Sequence, residues 1–319
     1  INSIFRDSFG NMWLGSIGGG VLMTDTYEPL FIRHNLNLQD EEISTTSVKA
    51  LFVDSERNIW LGIGTYGLAC QEYTTGELTL YSHMPEFADI ASVPTINSII
   101  QRRNGEIWFG TYDGGLFIYR KGEKVRSLYP YNCDFLYSSC VSALYEDEKG
   151  NCWVGTRGNL GISMADGTGY KFGMMDFGDG FSSDWLFVKD IIEDKDHSIW
   201  IATSNYGIVH ITGDVRQPST LKYRNYSFRN GKLLTNTVLC LYIDQFGKLW
   251  AGTEGGGLYL YDRKKQLFEE KNREYNIPGD MVGSIEEDKR GNLWLGTNAG
   301  LIKLTLSDNL ESATFRLYT

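Results

Sequence analysis

Seven β-branched residues, Ile1, Val48, Ile96, Val141, Val188, Val238 and Val282, each stand twelve positions before a tryptophan. Three positions further on comes an apolar residue every time: Ile4, Leu51, Ile99, Leu144, Ile191, Leu241 and Ile285. Ten before the tryptophan, six of the seven residues are small (Ser3, Ala50, Ser98, Ala143, Cys240 and Ser284) and the seventh is Asp190. β-branched and apolar residues at this spacing predict a pleated, buried strand. A turn follows, with Asp six before the tryptophan at Asp7, Asp54, Asp147, Asp194, Asp244 and Asp288, and Arg102 in the third copy. Gly stands three before it at Gly10, Gly105, Gly150, Gly247 and Gly291. Asp bonds nearby backbone N–H groups and Gly accepts positive φ, so this is a hairpin signal.

The anchors themselves are Trp13, Trp60, Trp108, Trp153, Trp200, Trp250 and Trp294, separated by 47, 48, 45, 47, 50 and 44 residues. Each lies on a predicted second strand that ends in Gly15, Gly62, Gly110, Gly155, Ala202, Gly252 or Gly296, where a small residue lets the next unit approach. A Gly-apolar pair then opens a third strand: Gly20-Val21, Gly67-Leu68, Gly115-Leu116, Gly161-Ile162, Gly207-Ile208, Gly257-Leu258 and Gly300-Leu301. The fourth strand is aromatic and weakly patterned, as at Val125 to Tyr129 and Phe315 to Tyr318. One aromatic anchor per unit and a period in the forties predict an all-β, seven-bladed β-propeller of four-stranded antiparallel blades. Small residues on the first strand fit, because innermost strands converge on the axis. The repeat overrides the two-domain prior of a 319-residue chain and assigns 1–319 to one ring.

Composition narrows the partners. Apolar residues at 42% suffice for a core, and the net charge of −10 with a pI near 5.0 disfavours nucleic acid and anionic membrane surfaces. No apolar run is long enough to span a bilayer as a helix. The chain opens inside the motif at Ile1, which predicts an excised piece of a larger protein with any targeting segment lost. The five cysteines, Cys70, Cys133, Cys140, Cys152 and Cys240, match no zinc spacing, and Cys133 and Cys140 share a loop in which they could pair. The histidines His34, His83, His197 and His210 are scattered, with no nucleophile triad, HExxH or phosphate loop. Catalytic residues, metal ligands and cofactors are therefore none.

The repeat resembles the two-component regulator-propeller repeat, most cleanly in Asp288-Lys-Arg-Gly-Asn-Leu-Trp-Leu-Gly-Thr297 and Asp244-Gln-Phe-Gly-Lys-Leu-Trp-Ala-Gly-Thr253. The resemblance extends over essentially the whole chain. It implies the periplasmic sensor region of a hybrid two-component system, part of an inner-membrane protein. Such a region recognises oligosaccharide products of polysaccharide breakdown. Its implied neighbours are a second propeller and an immunoglobulin-like domain in the same chain, a homodimer in the full-length protein, and kinase activity only in a cytoplasmic part outside this chain. Departures are Arg102 for the turn Asp in the third copy, His197 and Ala202 for Gly in the fifth, and Gly161 displaced by one in the fourth. The first copy, with Gly18 to Gly20 and the following 29–31, resembles the opening of a second propeller. Sialidases share an Asp turn, but theirs is one residue shorter between Asp and Trp.

Propellers bind at the axial opening, and the loops between second and third strands must share one face. Their tips hold Tyr66, Tyr112, Asp113, Arg157, Asn159, Asn205, Tyr206, Glu254 and Asn298. Aromatic faces beside amides and charges suit a sugar, although Gly-rich turns favour the same residue types for conformational reasons. The longest inserts run over 86–94, 131–140 and 178–187. Trp185, the tryptophan outside the register, is either a sugar platform, or a plug of the ring or a contact to a neighbouring domain. Asp190 either lines a wet channel or caps a neighbouring backbone group. The readings of function are a ligand-sensing propeller, an interaction or dimerisation scaffold without its own ligand, and a propeller lyase or glycosidase.

Overall fold

The computed structural model describes residues 3–7, 11–16, 20–24, 32–34, 37–38, 41–42, 47–64, 66–81, 84–87, 95–178, 182–183, 185–307 and 310–318. Ile1, Gly10, Gly18, His83, the stretch 29–31 and most of the 86–94 insert lie outside the described residues.

Seven antiparallel blades of four strands follow one another in chain order. Blade one is Ser3–Arg6, Met12–Ser16, Gly20–Thr24 and Ile32–His34, and blade two is Val48–Val53, Ile59–Ile63, Gly67–Gln71 and Leu78–Leu80. Blade three is Ile96–Gln101, Ile107–Thr111, Leu116–Tyr119 and Arg126–Leu128, and blade four is Val141–Glu146, Cys152–Gly158, Leu160–Ser163 and Gly169–Lys171. Blade five is Leu186–Glu193, Ile199–Thr203, Ile208–Thr212 and Lys222–Tyr226. Blade six is Val238–Ile243, Leu249–Thr253, Leu258–Asp262 and Leu267–Glu270, and blade seven is Val282–Glu287, Leu293–Thr297, Gly300–Leu306 and Ala313–Tyr318. Every anchor tryptophan lies on a second strand and is buried.

Two of the repeating signals prove to be one contact. A Cβ on Gly155 would lie 2.4 Å from Cγ1 of Val188, the β-branched residue that opens blade five. Gly15 meets Val48, Gly62 meets Ile96, Gly110 meets Val141 and Gly252 meets Val282 in the same way. The missing side chain of one blade is therefore filled by the branched side chain of the next. Behind the branched residue the first strand bulges in blades two to seven, leaving Lys49, Asn97, Ser142, Lys189, Leu239 and Gly283 as the extra residue. Two of these reach the next blade: Asn97 Nδ2 donates to the Val141 carbonyl at 3.2 Å and Ser142 Oγ to the Val188 carbonyl at 2.6 Å.

The turn aspartate does more than shape its hairpin. In blade four, Asp147 Oδ1 accepts the Asn151 N–H at 2.8 Å, while Oδ2 accepts the indole N–H of Trp153 at 2.9 Å. The same indole bond recurs from Asp7, Asp54, Asp194, Asp244 and Asp288. A buried indole donor needs such a partner. At the glycine position of this turn, Gly150 has φ 77°, and Arg57 and His197 occupy the same left-handed region at φ 70° and 65°.

Neighbouring blades are latched at this end of the ring. Gln101, Glu146, Glu193 and Glu287, each seven before its tryptophan, accept the backbone N–H of Ser55, Arg103, Glu148 and Gln245 in the preceding blade at 2.7–2.8 Å. Blade six has Ile243 at that position. There the Arg263 guanidinium clasps Asp194 of blade five instead, at 2.7 and 2.9 Å. Asp190, the odd residue among the small ones, caps a neighbouring backbone group: its Oδ2 accepts the Leu241 N–H of blade six at 2.8 Å. Burial nevertheless pushes its carboxyl up to about 6.

The ring closes end to end. The first strand of blade one packs on the first two strands of blade seven. Ile4, Met12 and Leu14 join Trp294 and Leu301 in one buried cluster with Tyr318 against it. Each terminal blade takes its four strands from its own end of the chain. All five cysteines are free, so Cys133 and Cys140 do not pair.

Candidate functional site

Because strands alternate in direction, the second-to-third loops and the loops leaving each outer strand open at one axial end. A buried threonine shapes most of the former. Thr111, Thr156, Thr203, Thr253 and Thr297 each turn Oγ1 onto a carbonyl three or four residues ahead, at 2.7–2.9 Å. The next residue is then tied to the entry of its own blade. Tyr112 N–H bonds Thr95 O at 3.0 Å, Arg157 N–H bonds Cys140 O at 2.9 Å and Glu254 N–H bonds Thr237 O at 3.0 Å. Asn298 N–H reaches Met281 O at 3.4 Å, and Gly64 and Ser204 make the equivalent bonds at 2.9 Å. Tyr112, Arg157, Glu254 and Asn298 thus stand at equivalent points around the axis, and all four are exposed.

The loop after Thr156 is one residue shorter than those after Thr111, Thr203 and Thr253. Asn159 holds the place of Gly115, Gly207 and Gly257, and Leu160 opens the third strand with Gly161 inside it. Gly161 is therefore not a displaced turn glycine, and the pair Gly161-Ile162 does not open the strand as expected. The second strand of blade four runs on to Gly158 and pairs with the first strand of blade five, Arg157 opposite Phe187 and Gly158 opposite Leu186. Blades four and five therefore share a continuous sheet. The pairing sets the Arg157 guanidinium 5.2 Å from the centre of the Phe187 ring, and the bulge residue Lys189 brings its Nζ to 4.9 Å from the same ring. Arg157 Nη1 also donates to the Tyr112 hydroxyl at 3.4 Å. Burial pushes Lys189 below its ordinary value, opposed by the negative fields of Cys140 and Glu254, with Arg157 adding to the depression. Two cations, a phenol and an aromatic ring form one cluster here.

The other sequence candidates divide. Asp113 is exposed beside Tyr112. Trp185 is half-exposed and its backbone is held by Asn205, whose Nδ2 donates to Trp185 O at 2.8 Å and whose Oδ1 accepts the Phe187 N–H at 3.0 Å. Asn205 is thus a positioning residue for that segment. Asn298 Nδ2 is engaged with Asp280 at 3.0 Å. Three candidates face inward. Asn159 is buried, its side chain spent on the Leu160 N–H and the Gly173 carbonyl. Tyr66 packs against the core between blades one and two, and Tyr206 against the core of blades four and five. Tip residues two beyond the tied position fold under the loop, which the repeat pattern did not distinguish.

Phe187 and Lys189 were missed by sequence reasoning. The signal for Lys189 was its place at the bulge, shared with Lys49, but the bulge itself is invisible in the sequence. Exposed large apolar side chains also gather at this end. Of eleven among the described residues, Tyr112, Tyr131, Tyr137, Met174, Trp185, Phe228 and Leu234 lie on its loops in blades three to five and the connections that follow them. Among the described residues no group of three His, Cys, Asp or Glu side chains could hold a metal.

Four stretches, 91–113, 138–158, 232–255 and 276–299, match the two-component regulator propeller family. The chain is 27% identical over 314 residues to Histidine kinase P4 of Formosa agariphila, an alignment covering 96% of this chain and 22% of that protein. It thus spans about a fifth of the length of the curated relative it matches. Among solved structures it superposes on virginiamycin B lyase from Staphylococcus aureus with TM-score 0.63 at 16% identity, covering 90% of this chain and 88% of that one. It also superposes on the WD40 propeller of Doa1 with TM-score 0.61 at 12% identity, covering 95% and 91%. These superpositions establish the fold. The chain is an all-β propeller of four-stranded antiparallel blades, four stretches of which match the two-component regulator propeller repeat.

Proposed function

We propose that this propeller is the non-catalytic input module of a hybrid two-component system. It recognises oligosaccharide products of polysaccharide breakdown at the axial end bearing Tyr112, Asp113, Arg157, Trp185, Phe187, Lys189 and Glu254. It passes the signal to a kinase module elsewhere in a longer, inner-membrane protein whose sensor region is periplasmic. An adjoining propeller, an immunoglobulin-like domain and a second copy of the whole protein complete the assembly. The repeat family and the histidine kinase relative support the signalling role. The observation that carries the site is the clustering of Arg157 and Lys189 on the Phe187 ring beside Tyr112. Guanidinium, ammonium and phenol groups donate to sugar hydroxyls, and exposed rings cover sugar C–H faces.

Calorimetry of the chain against a panel of plant and algal oligosaccharides tests the reading. Tyr112→Ala and Arg157→Ala should each weaken binding about tenfold or more, as loss of a charged or aromatic contact does, with the melting temperature unchanged. Wild-type affinity in both variants moves the site off this end.

A scaffold reading has its own support in the exposed apolar side chains at the same end, since such patches mark interaction surfaces. Strong self-association without sugar binding, abolished by Trp185→Ser with Phe228→Ser, would favour it.

A further inference from the structure

On the outer rim, away from the axis, the outer strand of blade five and the last hairpin of blade six frame a cleft of about 450 Å³. Its lining includes Arg224, Lys232, Lys265, Gln266, Leu267 and Phe268. Arg224 and Tyr226 lie on the same side of their strand, and the Tyr226 hydroxyl meets that of Tyr261 from blade six at 2.9 Å. Lys232, from the following loop, folds back so that Nζ lies 4.8 Å from the Tyr226 ring centre. Arg224 donates to the side-chain carbonyl of Gln266. The three cations are not alike. Lys265 is neutralised by Glu269 at 2.6 Å and Asp262 at 3.4 Å. Among the described ion pairs neither Arg224 nor Lys232 has a carboxylate partner. Burial and then the Arg224 charge hold Lys232 below its ordinary value, the expected state of a cation without a counter-ion. Two unneutralised cations beside an apolar wall are out of character for a chain of net charge −10.

We propose that this rim cleft binds a small organic anion, a sugar ring carrying one carboxylate or sulfate group. Arg224 and Lys232 hold the oxyanion, and Leu267 covers the ring. The Arg224 guanidinium, held by Gln266 and the Tyr226 hydroxyl, presents its remaining N–H groups to the oxyanion, and the Lys232 ammonium adds a point charge. The volume falls in the range of small-ligand sites, about 300–1,000 Å³. The amide of Gln266 keeps its two N–H groups for a hydroxyl. The site is independent of the axial one and does not rest on that reading.

Calorimetry at low ionic strength with glucuronate, glucose 6-sulfate, glucose and inorganic sulfate tests it. At least one charged sugar should bind about tenfold or more tighter than glucose, as expected for a charge-assisted hydrogen bond. The preferred arm names the oxyanion. Lys232→Met and Arg224→Gln should each lose about tenfold of that affinity. Both retain fold if their melting curves match wild type. Lys121→Gln, an exposed cation of blade three outside both sites and paired with Glu56 at 3.3 Å, should leave the affinity unchanged. The proposal is overturned if no charged sugar exceeds glucose. It is also overturned if both cleft variants bind as wild type does, or if inorganic sulfate binds as tightly as the best sugar, which would mean a generic anion patch.

Discussion

Glu106 accepts the indole N–H of Trp108 at 3.1 Å, from two residues before the tryptophan. The other six blades use an aspartate six residues before it. Blade three has Arg102 where that aspartate would be, and its guanidinium lies 4.8 Å from the Trp108 ring while Nε bonds Glu146 of blade four at 3.0 Å. The departure from the repeat is thus a relocation of the acceptor. The vacated position serves a contact between blades.

Removing the acceptor should therefore be costly in any blade. Asp147→Ala leaves a buried indole N–H and the Asn151 N–H unpaired, at about 2–4 kcal/mol from unsatisfied donors to a former charged partner. Trp153→Ala should cost about 3–5 kcal/mol as a large core truncation. Urea unfolding of the two single variants and the pair should show the double variant losing less than their sum, because they remove the same bond.

The contact between blades four and five predicts a rescue. Gly155→Ala places a methyl 2.4 Å from Val188 Cγ1 and should destabilise by about 1–3 kcal/mol through overpacking. Combined with Val188→Ala, the loss should be smaller than the sum of the two single losses in the same denaturation experiment, because the closest clashing atom is gone. Full additivity of the two substitutions would deny the contact.

His210 stacks on Trp200, ring centres 3.8 Å apart, with its Nε2 buried and unpartnered. Burial lowers it from about 6.5 to about 4, so the unfolded chain takes up a proton first as pH falls. Its contribution to stability is complete above about pH 6.5 and is lost as pH drops toward 4. Leu260 holds the equivalent place in blade six, opposite Trp250. His210→Leu should therefore narrow the fall in melting temperature between pH 7 and pH 5, read by scanning calorimetry.

Arg263 should matter beyond an ordinary surface cation, because it bonds both oxygens of the buried Asp194. Arg263→Met is expected to cost about 1–3 kcal/mol, with faster hydrogen exchange along the facing strands of blades five and six. Lys264→Met, next in sequence and exposed, serves as the control and should change neither.

Much of this architecture was legible before any coordinates. The tryptophan period set the blade number, the β-branched and small positions marked the innermost strands, and the small residue ending each second strand with the Gly-apolar pair after it bracketed loops sharing one axial end. Each is a feature that every blade needs locally, so it recurs and can be counted. The candidate positions were legible at the tied tips, Tyr112, Arg157, Glu254 and Asn298, because there the repeat dictates the backbone, and at Asp113 and Trp185, which the sequence placed on the same loops and inserts. Asn159, Tyr66 and Tyr206 carry suitable chemistry but point into packing, which depends on how each individual loop folds under.

The sequence alone determined strand order, blade number and the end on which the loops gather, because these follow from local pattern repeated. Tertiary structure alone decided what the exceptions do. It gave Glu106 and Arg102 their shared task at Trp108, turned Asp190 onto the Leu241 N–H, and set Arg157 and Lys189 on Phe187. Glu106, Arg102 and Trp108 share the hairpin of blade three, but the other partners lie on different blades or on bulged backbone. A contact between blades forms only when ring closure fixes the register of one first strand against the next, and no local pattern records that register.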